Sequence, residues 1–140
     1  MPVMVTLAIA IILVLAVIAT RMTRRVKDQD ARVEVARAQA RDSILILITS
    51  YLDEQVDRSE CILRIRVLLD GSCSHWKDEL TLPAFLVVSD LVLSHPYGEA
   101  RGRLDAEVRQ AQDALRRQAL QIHEQPLVDE LTQLKEWLQS

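Results

Sequence analysis

Among the side chains of this 140-residue chain that could ligate a metal or support nucleophilic chemistry, Cys61, Cys73, His75 and His95 form the most chemical-looking set. Cys73-Ser74-His75 places a thiol and an imidazole two positions apart, and Cys61 with His95 would complete a tetrahedral Cys₂His₂ set. Structural zinc sites carry paired ligands two to four residues apart on both sides, whereas Cys61 and His95 each stand alone. Cys61 also falls on an apolar helix face, where a free thiol behaves as a small hydrophobe. Ser74-His75 and Ser94-His95 set a hydroxyl beside an imidazole, but catalytic triads depend on geometry in space rather than adjacency. No Gly-x-Ser-x-Gly elbow and no glycine-rich phosphate loop is present. Asp53, Glu54, Asp57 and Glu60 lack the glycine and alternating oxygen ligands of a calcium loop and read as a solvated turn with a cap. The expectation is no catalytic set, no cofactor and no resident metal. The alternative is a metal-dependent or catalytic regulator using His75, His95 and a cysteine.

Recognition chemistry is better represented. Arg64 and Arg66 interrupt an otherwise apolar segment. Long Arg side chains can snorkel from such a face, or they can pair with Asp53, Asp57 or Asp90, or dock an anionic partner. His95-Pro96-Tyr97-Gly98-Glu99-Ala100-Arg101 is a rigid turn presenting an imidazole, a phenol and a guanidinium, which makes His95, Tyr97 and Arg101 interaction candidates. Trp76 and Trp137 read as core plugs.

The elements that must carry these residues begin with a stretch free of charge. Val3 to Thr20 is 18 residues long and is followed at once by Arg21, Arg24, Arg25 and Lys27. That length just crosses the hydrocarbon core of a bilayer as a helix. A cleaved signal peptide would carry a basic n-region and a small residue where Val17 stands, three before a cut after Ala19. A retained single-pass anchor is the reading, and the cations on its C-terminal flank place the short N-terminus outside and the body in the cytoplasm. Arg21 to Asp42 has no Gly or Pro. Those 22 residues read as a helical stalk, about 33 Å long at ~1.5 Å per residue. The expected organisation is an anchor over 1–20, a basic collar and stalk over 21–42, and a helical bundle over 43–140.

Composition restricts the body's partners. Beyond Lys27 there are thirteen Lys and Arg against twenty Asp and Glu. Affinity for phosphate backbones comes from cations, so nucleic acid is excluded as a partner. The bilayer, and a protein partner or a second copy, remain. Cys61 and Cys73 are expected to be reduced in the cytoplasm, and would be disulfide candidates if the body were exported. Three Gly and four Pro in the whole chain argue for helices over turn-rich β structure.

Periodicity then lays out the bundle. Ile44, Leu47, Ile48, Tyr51 and Leu52 form an amphipathic stripe, which Leu45 and Ile46 widen into a segment buried nearly all round. Asp57 caps the next helix, with Glu60 three positions on, and Cys61, Ile65, Leu68 and Leu69 share its apolar face. Leu63 to Val67 also alternates like a strand, but the cap selects the helix. Asp70-Gly71-Ser72 ends that helix, and a loop carries His75 and Trp76. Thr81 is placed to cap a further helix, with Pro83 in its first turn. Phe85 to Leu93 is apolar on almost every face, as in a central core helix, and His95-Pro96 stops it. Leu104, Val108, Ala111, Leu115, Ala119 and Ile122 step by four or three and predict a core-facing seam. Beyond Pro126, Leu127, Leu131, Leu134 and Leu138 supply a last amphipathic helix. The predicted fold is all-α, a bundle of about five helices.

The block Tyr51-Leu52-Asp53-Glu54-Gln55-Val56-Asp57-Arg58-Ser59-Glu60-Cys61-Ile62-Leu63-Arg64-Ile65-Arg66-Val67-Leu68-Leu69-Asp70 resembles the signature of an uncharacterised bacterial family, domain-of-unknown-function family 2489. The apolar N-terminus, the Arg/Ala-rich stretch and the later His-Pro before a basic helix are similar too. The resemblance implies a small single-pass protein of the bacterial inner membrane and supplies no catalytic residues. The function expected is a membrane-tethered helical protein-interaction module.

Overall fold

A computed structural model describes residues 2–140. The described residues form seven helices and no strand, so the fold is all-α: α1 (Pro2–Leu52), α2 (Arg58–Ser72), α3 (Trp76–Glu79), α4 (Pro83–Ser94), α5 (Glu99–Gly102), α6 (Ala106–Ile122) and α7 (Glu124–Gln139). The chain divides into a unit ending at Ala38 and a unit Gln39–Ser140. The first unit is helical throughout. Its apolar side chains are exposed, and Thr6 returns its hydroxyl to the Val3 carbonyl at 2.9 Å. Among the described residues α1 is the one helix long and apolar enough to cross a membrane, by length and composition.

In the second unit, α1 ends in a reversal made by backbone bonds. Glu54 N–H donates to the Tyr51 carbonyl and Gln55 N–H to the Ser50 carbonyl, the paired pattern of a Schellman motif. Glu54 takes the left-handed position at φ 56°, where glycine is usual, and its carboxylate receives Arg58 from the next helix. Asp57 then caps α2, its Oδ1 accepting from Glu60 N–H at 3.0 Å and from the Ser59 hydroxyl at 2.7 Å. The cap that selected helix over strand is present.

The core draws on Ile44, Ile48 and Tyr51 of α1, Cys61, Ile62, Ile65 and Leu69 of α2, Phe85, Val88 and Val92 of α4, and Leu127, Leu131, Leu134 and Leu138 of α7. Helix α4 is central and packs against α2, α6 and α7. The heptad-like stripes of α1, α2 and α7 all face inward, as periodicity predicts.

Several expectations fail, each for a tertiary reason. The end of α1 is not buried all round, because Ile46 points outward and is 66% exposed. Helix α4 likewise leaves Val87 exposed; its high apolar content widens one buried face without closing the other. Helix α2 does end at Ser72, within the expected Asp70-Gly71-Ser72 stop. The loop expected around His75 and Trp76 contains the one-turn helix α3, folded around the fully buried Trp76. Thr81 does not cap α4, whose N-cap position is Leu82 and has no side-chain cap of its own. The carboxylate of Glu130 on α7 crosses over instead, accepting from Ala84 N–H at 2.9 Å and Phe85 N–H at 2.7 Å.

The largest departure is α6. Its apolar seam faces solvent: Val108, Leu115 and Ile122 are exposed, the last at 66%, and no residue of the helix is buried. The inward face carries Arg109, Gln112 and Arg116 with Leu120, about a third of a turn round from the seam at ~100° per residue. Two polar ties hold that rotation. Asp113 receives Arg101 at 2.9 Å, and Arg116 Nε donates to Nδ1 of His95 at 3.3 Å. With the core already filled by α1, α2, α4 and α7, only Ala119 and Leu120 of α6 pack against it.

Candidate functional site

Helices α2 and α6 and the turn between α4 and α5 enclose a cleft of about 1340 Å³ that also reaches the end of α1. Its first wall is α2, which presents Arg58 and Ser59 at its capped N-terminus and Arg64 further along the helix. Its second wall comes from Tyr97, Arg101 of α5, and Asp113, Arg116 and Arg117 of α6. Apolar side chains between them include Leu63, Val67 and Leu120. The α4–α5 turn is possible because Gly98 takes φ 62°, a left-handed conformation that side chains resist.

Charge is distributed unevenly between the walls. Arg58 is paired with Glu54 and, at 3.6 Å, with Glu124; Arg64 pairs with Glu60 one turn earlier at 2.6 Å. On the opposite wall Arg101 and Arg116 share Asp113, at 2.9 and 4.0 Å. Arg101 Nη1 and Arg116 Nη2 are buried donors without an acceptor among the described residues. Such groups are costly, by roughly 1–3 kcal/mol each. Burial, then the positive Arg116, hold the His95 imidazole below its ordinary pKa. It is therefore neutral at pH 7, as accepting a hydrogen bond at Nδ1 requires.

The expected site residues are only partly gathered. Arg64, Tyr97 and Arg101 meet at the cleft, and His95 stands behind it against Arg116. Arg66 does not snorkel. It is 7% exposed and lies inside the bundle, its Nε donating to Asp70 at 2.8 Å and its Nη1 to Ser89 at 2.7 Å and Asp90 at 2.8 Å. Trp76 completes that network by donating from Nε1 to the other Asp70 oxygen at 2.9 Å, with the Arg66 guanidinium 5.7 Å from its ring centroid. Burial alone would raise the Asp70 pKa, but the bonds from Trp76 and Arg66 prevail and lower it. Burial likewise works to lower the Arg66 pKa, and its bonds to Asp70 and Asp90 raise it. The Arg66 network joins α2 to α4 and serves the fold.

The proposed metal ligands are not assembled. Among the described residues no group of three or more His, Cys, Asp or Glu is placed to hold a metal ion. Cys61 is a free, buried thiol whose pKa burial raises, with Sγ 3.6 Å from the Leu47 carbonyl; Cys73 is free and half-buried. Arg21, Arg24, Arg25 and Lys27 are exposed on α1.

Sequence reasoning missed Arg58, Arg116, Arg117 and Asp113 as cleft residues. The signal available in the sequence is the Arg116-Arg117 doublet, which interrupts the apolar seam between Leu115 and Ala119. Glu130 was also legible in part, as a carboxylate inside the Leu127–Leu131–Leu134 stripe.

The profile of a family described as protein of unknown function (DUF2489) matches residues 5–134. No curated protein and no solved structure matches the chain.

Proposed function

The chain belongs to the DUF2489 family of proteins of unknown function, and we propose that it is a membrane-tethered helical module that self-associates through the outer face of α6. The observation that carries this reading is the inverted helix. Val108, Leu115 and Ile122 lie exposed on one stripe while the polar side of α6 is turned into the body. A contiguous apolar patch left in water marks an interaction surface, whereas apolar side chains scattered singly do not. Its spacing suits a second copy: with a twofold axis at Leu115, Val108 meets Ile122 of the other copy and Leu115 meets itself. Such isologous pairing is the commonest symmetry of homo-oligomers. Leu115→Glu places a charge on that axis. It is expected to leave the melting of the body unchanged and to abolish crosslinking between copies in native membranes. Undiminished crosslinking of the variant would sink the self-association reading, and loss of a crosslink to some other protein would replace the second copy by that partner.

Tethering is supported by the 18-residue uncharged run within α1 and the four cations after it. The proposed organisation is an anchor over 1–20, a collar and stalk over 21–42 and a body over 43–140, single-pass in a bacterial inner membrane with the body cytoplasmic. Moving a charge through the bilayer centre is unfavourable by a few kcal/mol on insertion scales. A reporter that fluoresces only in the cytoplasm, fused after Ser140, is therefore expected to be bright, and a reporter active only in the periplasm to be silent. The opposite pattern would put the body outside and make Cys61 and Cys73 subject to oxidation.

A further inference from the structure

We propose that α6 is a two-position element that regulates the pairing of copies. With its seam outward, as here, it pairs; in a lone copy it turns about a third of a turn on its axis and buries that seam against α2 and α4. The inference rests on the self-association reading for what holds the seam outward. Its first support is where the unpaired polar atoms lie. Arg101 Nη1, Arg109 Nε, Gln112 Oε1 and Arg116 Nη2 are the buried side-chain atoms without a hydrogen-bond partner among the described residues, and all four belong to α5 or α6. Burying such atoms unpaired is unfavourable. So is holding Val108, Leu115 and Ile122 in water on another side of the same helix. One rotation relieves both.

Helix geometry gives the size and sense of that rotation. At ~100° per residue, Arg109, Gln112 and Arg116 are centred about 115° from the seam. Turning α6 through that angle sets Val108, Leu115 and Ile122 where the polar three now stand. The same turn carries Arg109, Gln112 and Arg116 round past the present position of Arg117, on the cleft side of the helix, where water reaches them. Little opposes the motion. Only Ala119 and Leu120 of α6 pack against the core, and the ties that set its rotation are Arg101 with Asp113 and Arg116 with His95. At its far end α6 meets α7 at His123, and Glu124, Gln125 and Pro126 are exposed, so α7 enters the core only from Leu127. A second copy binds the outward position alone, so its concentration shifts the population between the two.

Thiol labelling of the full chain in nonionic micelles tests the switch, in a Cys73→Ser background that keeps only the buried thiol of Cys61. Gln112→Cys reports on the inward face and Leu115→Cys on the seam, each reacted with a water-soluble maleimide at high and at low protein-to-micelle ratio. Dilution is expected to speed labelling of Gln112→Cys at least about tenfold. Leu115→Cys is expected to stay slow at both ratios, covered first by the second copy and then by the body. Adding Leu115→Glu to Gln112→Cys puts a charge where the seam must be buried, and is expected to abolish the acceleration. Slow labelling of Gln112→Cys at both ratios overturns the switch. Self-association then stands if dilution exposes Leu115→Cys, and falls if that thiol reacts at both ratios as fast as the exposed control Arg103→Cys. Fast labelling of Gln112→Cys that Leu115→Glu does not slow also overturns the switch, because it reports loose packing of α6 rather than rotation. Fast Gln112→Cys with slow Leu115→Cys at both ratios retains the rotation and overturns the second copy as its partner.

Discussion

Trp76→Ala is expected to destabilise the body by about 3–5 kcal/mol, the range for truncating a fully buried aromatic. Trp76 has no exposed surface and meets Phe85 edge-on at 5.9 Å between ring centroids. Its indole also donates to Asp70, which in turn receives Arg66. Removal would open a cavity under α4 and leave the Asp70 carboxylate with one fewer donor. For a domain of this size the fall in Tm would be on the order of 20 °C. The full chain can be followed by the fluorescence of Trp137, which remains in the variant and reports on α7, where its indole bonds Glu79 at 2.7 Å. An unchanged melt would mean that the one-turn helix α3 sits outside the cooperative unit.

The second large effect is expected at Glu130. Both of its oxygens accept backbone N–H bonds at the start of α4, so Glu130→Ala removes a cap delivered from another helix and leaves two buried donors unpaired. Charge-assisted bonds of this kind are worth about 1.5–3 kcal/mol each, and a carboxylate at a helix N-terminus gains from the helix dipole as well. The expected loss is about 3 kcal/mol. Glu130→Gln should recover little of it, because the amide offers one acceptor and turns a donor toward the second N–H. Thr81→Ala, at the residue that local sequence nominates as the cap, is expected to change stability by no more than about 0.5 kcal/mol. Chemical denaturation of the three variants in micelles decides the matter. A larger loss for Thr81→Ala than for Glu130→Ala would return the capping role to the local residue.

Both effects separate what local sequence can report from what it cannot. Trp76 could be read as a core plug because an indole is costly to leave in water, wherever the chain carries it. The turn of helix that buries it was not legible, because His75 to Leu80 has no apolar repeat long enough to show one. Asp57 could be read as a cap since cap and N–H lie three residues apart; Glu130 could not, since 46 residues separate it from Ala84.

By itself the sequence determined the all-α class, the uncharged run within α1 and its basic flank, the cap of α2, and the inward stripes of α1, α2 and α7. These rest on interactions within one or two helical turns, where residue spacing and physical spacing coincide. Tertiary structure alone decided the rotation of α6, the cap on α4, the burial of Arg66 and the meeting of Arg101, Arg116 and Arg117 with α2. A periodic stripe states that a helix has an apolar side and is silent on whether room remains in the core to receive it. In this body α1, α2, α4 and α7 fill that room first. The ties of Asp113 to Arg101 and Arg116 to His95 then turn the polar side of α6 inward and leave its apolar side in water.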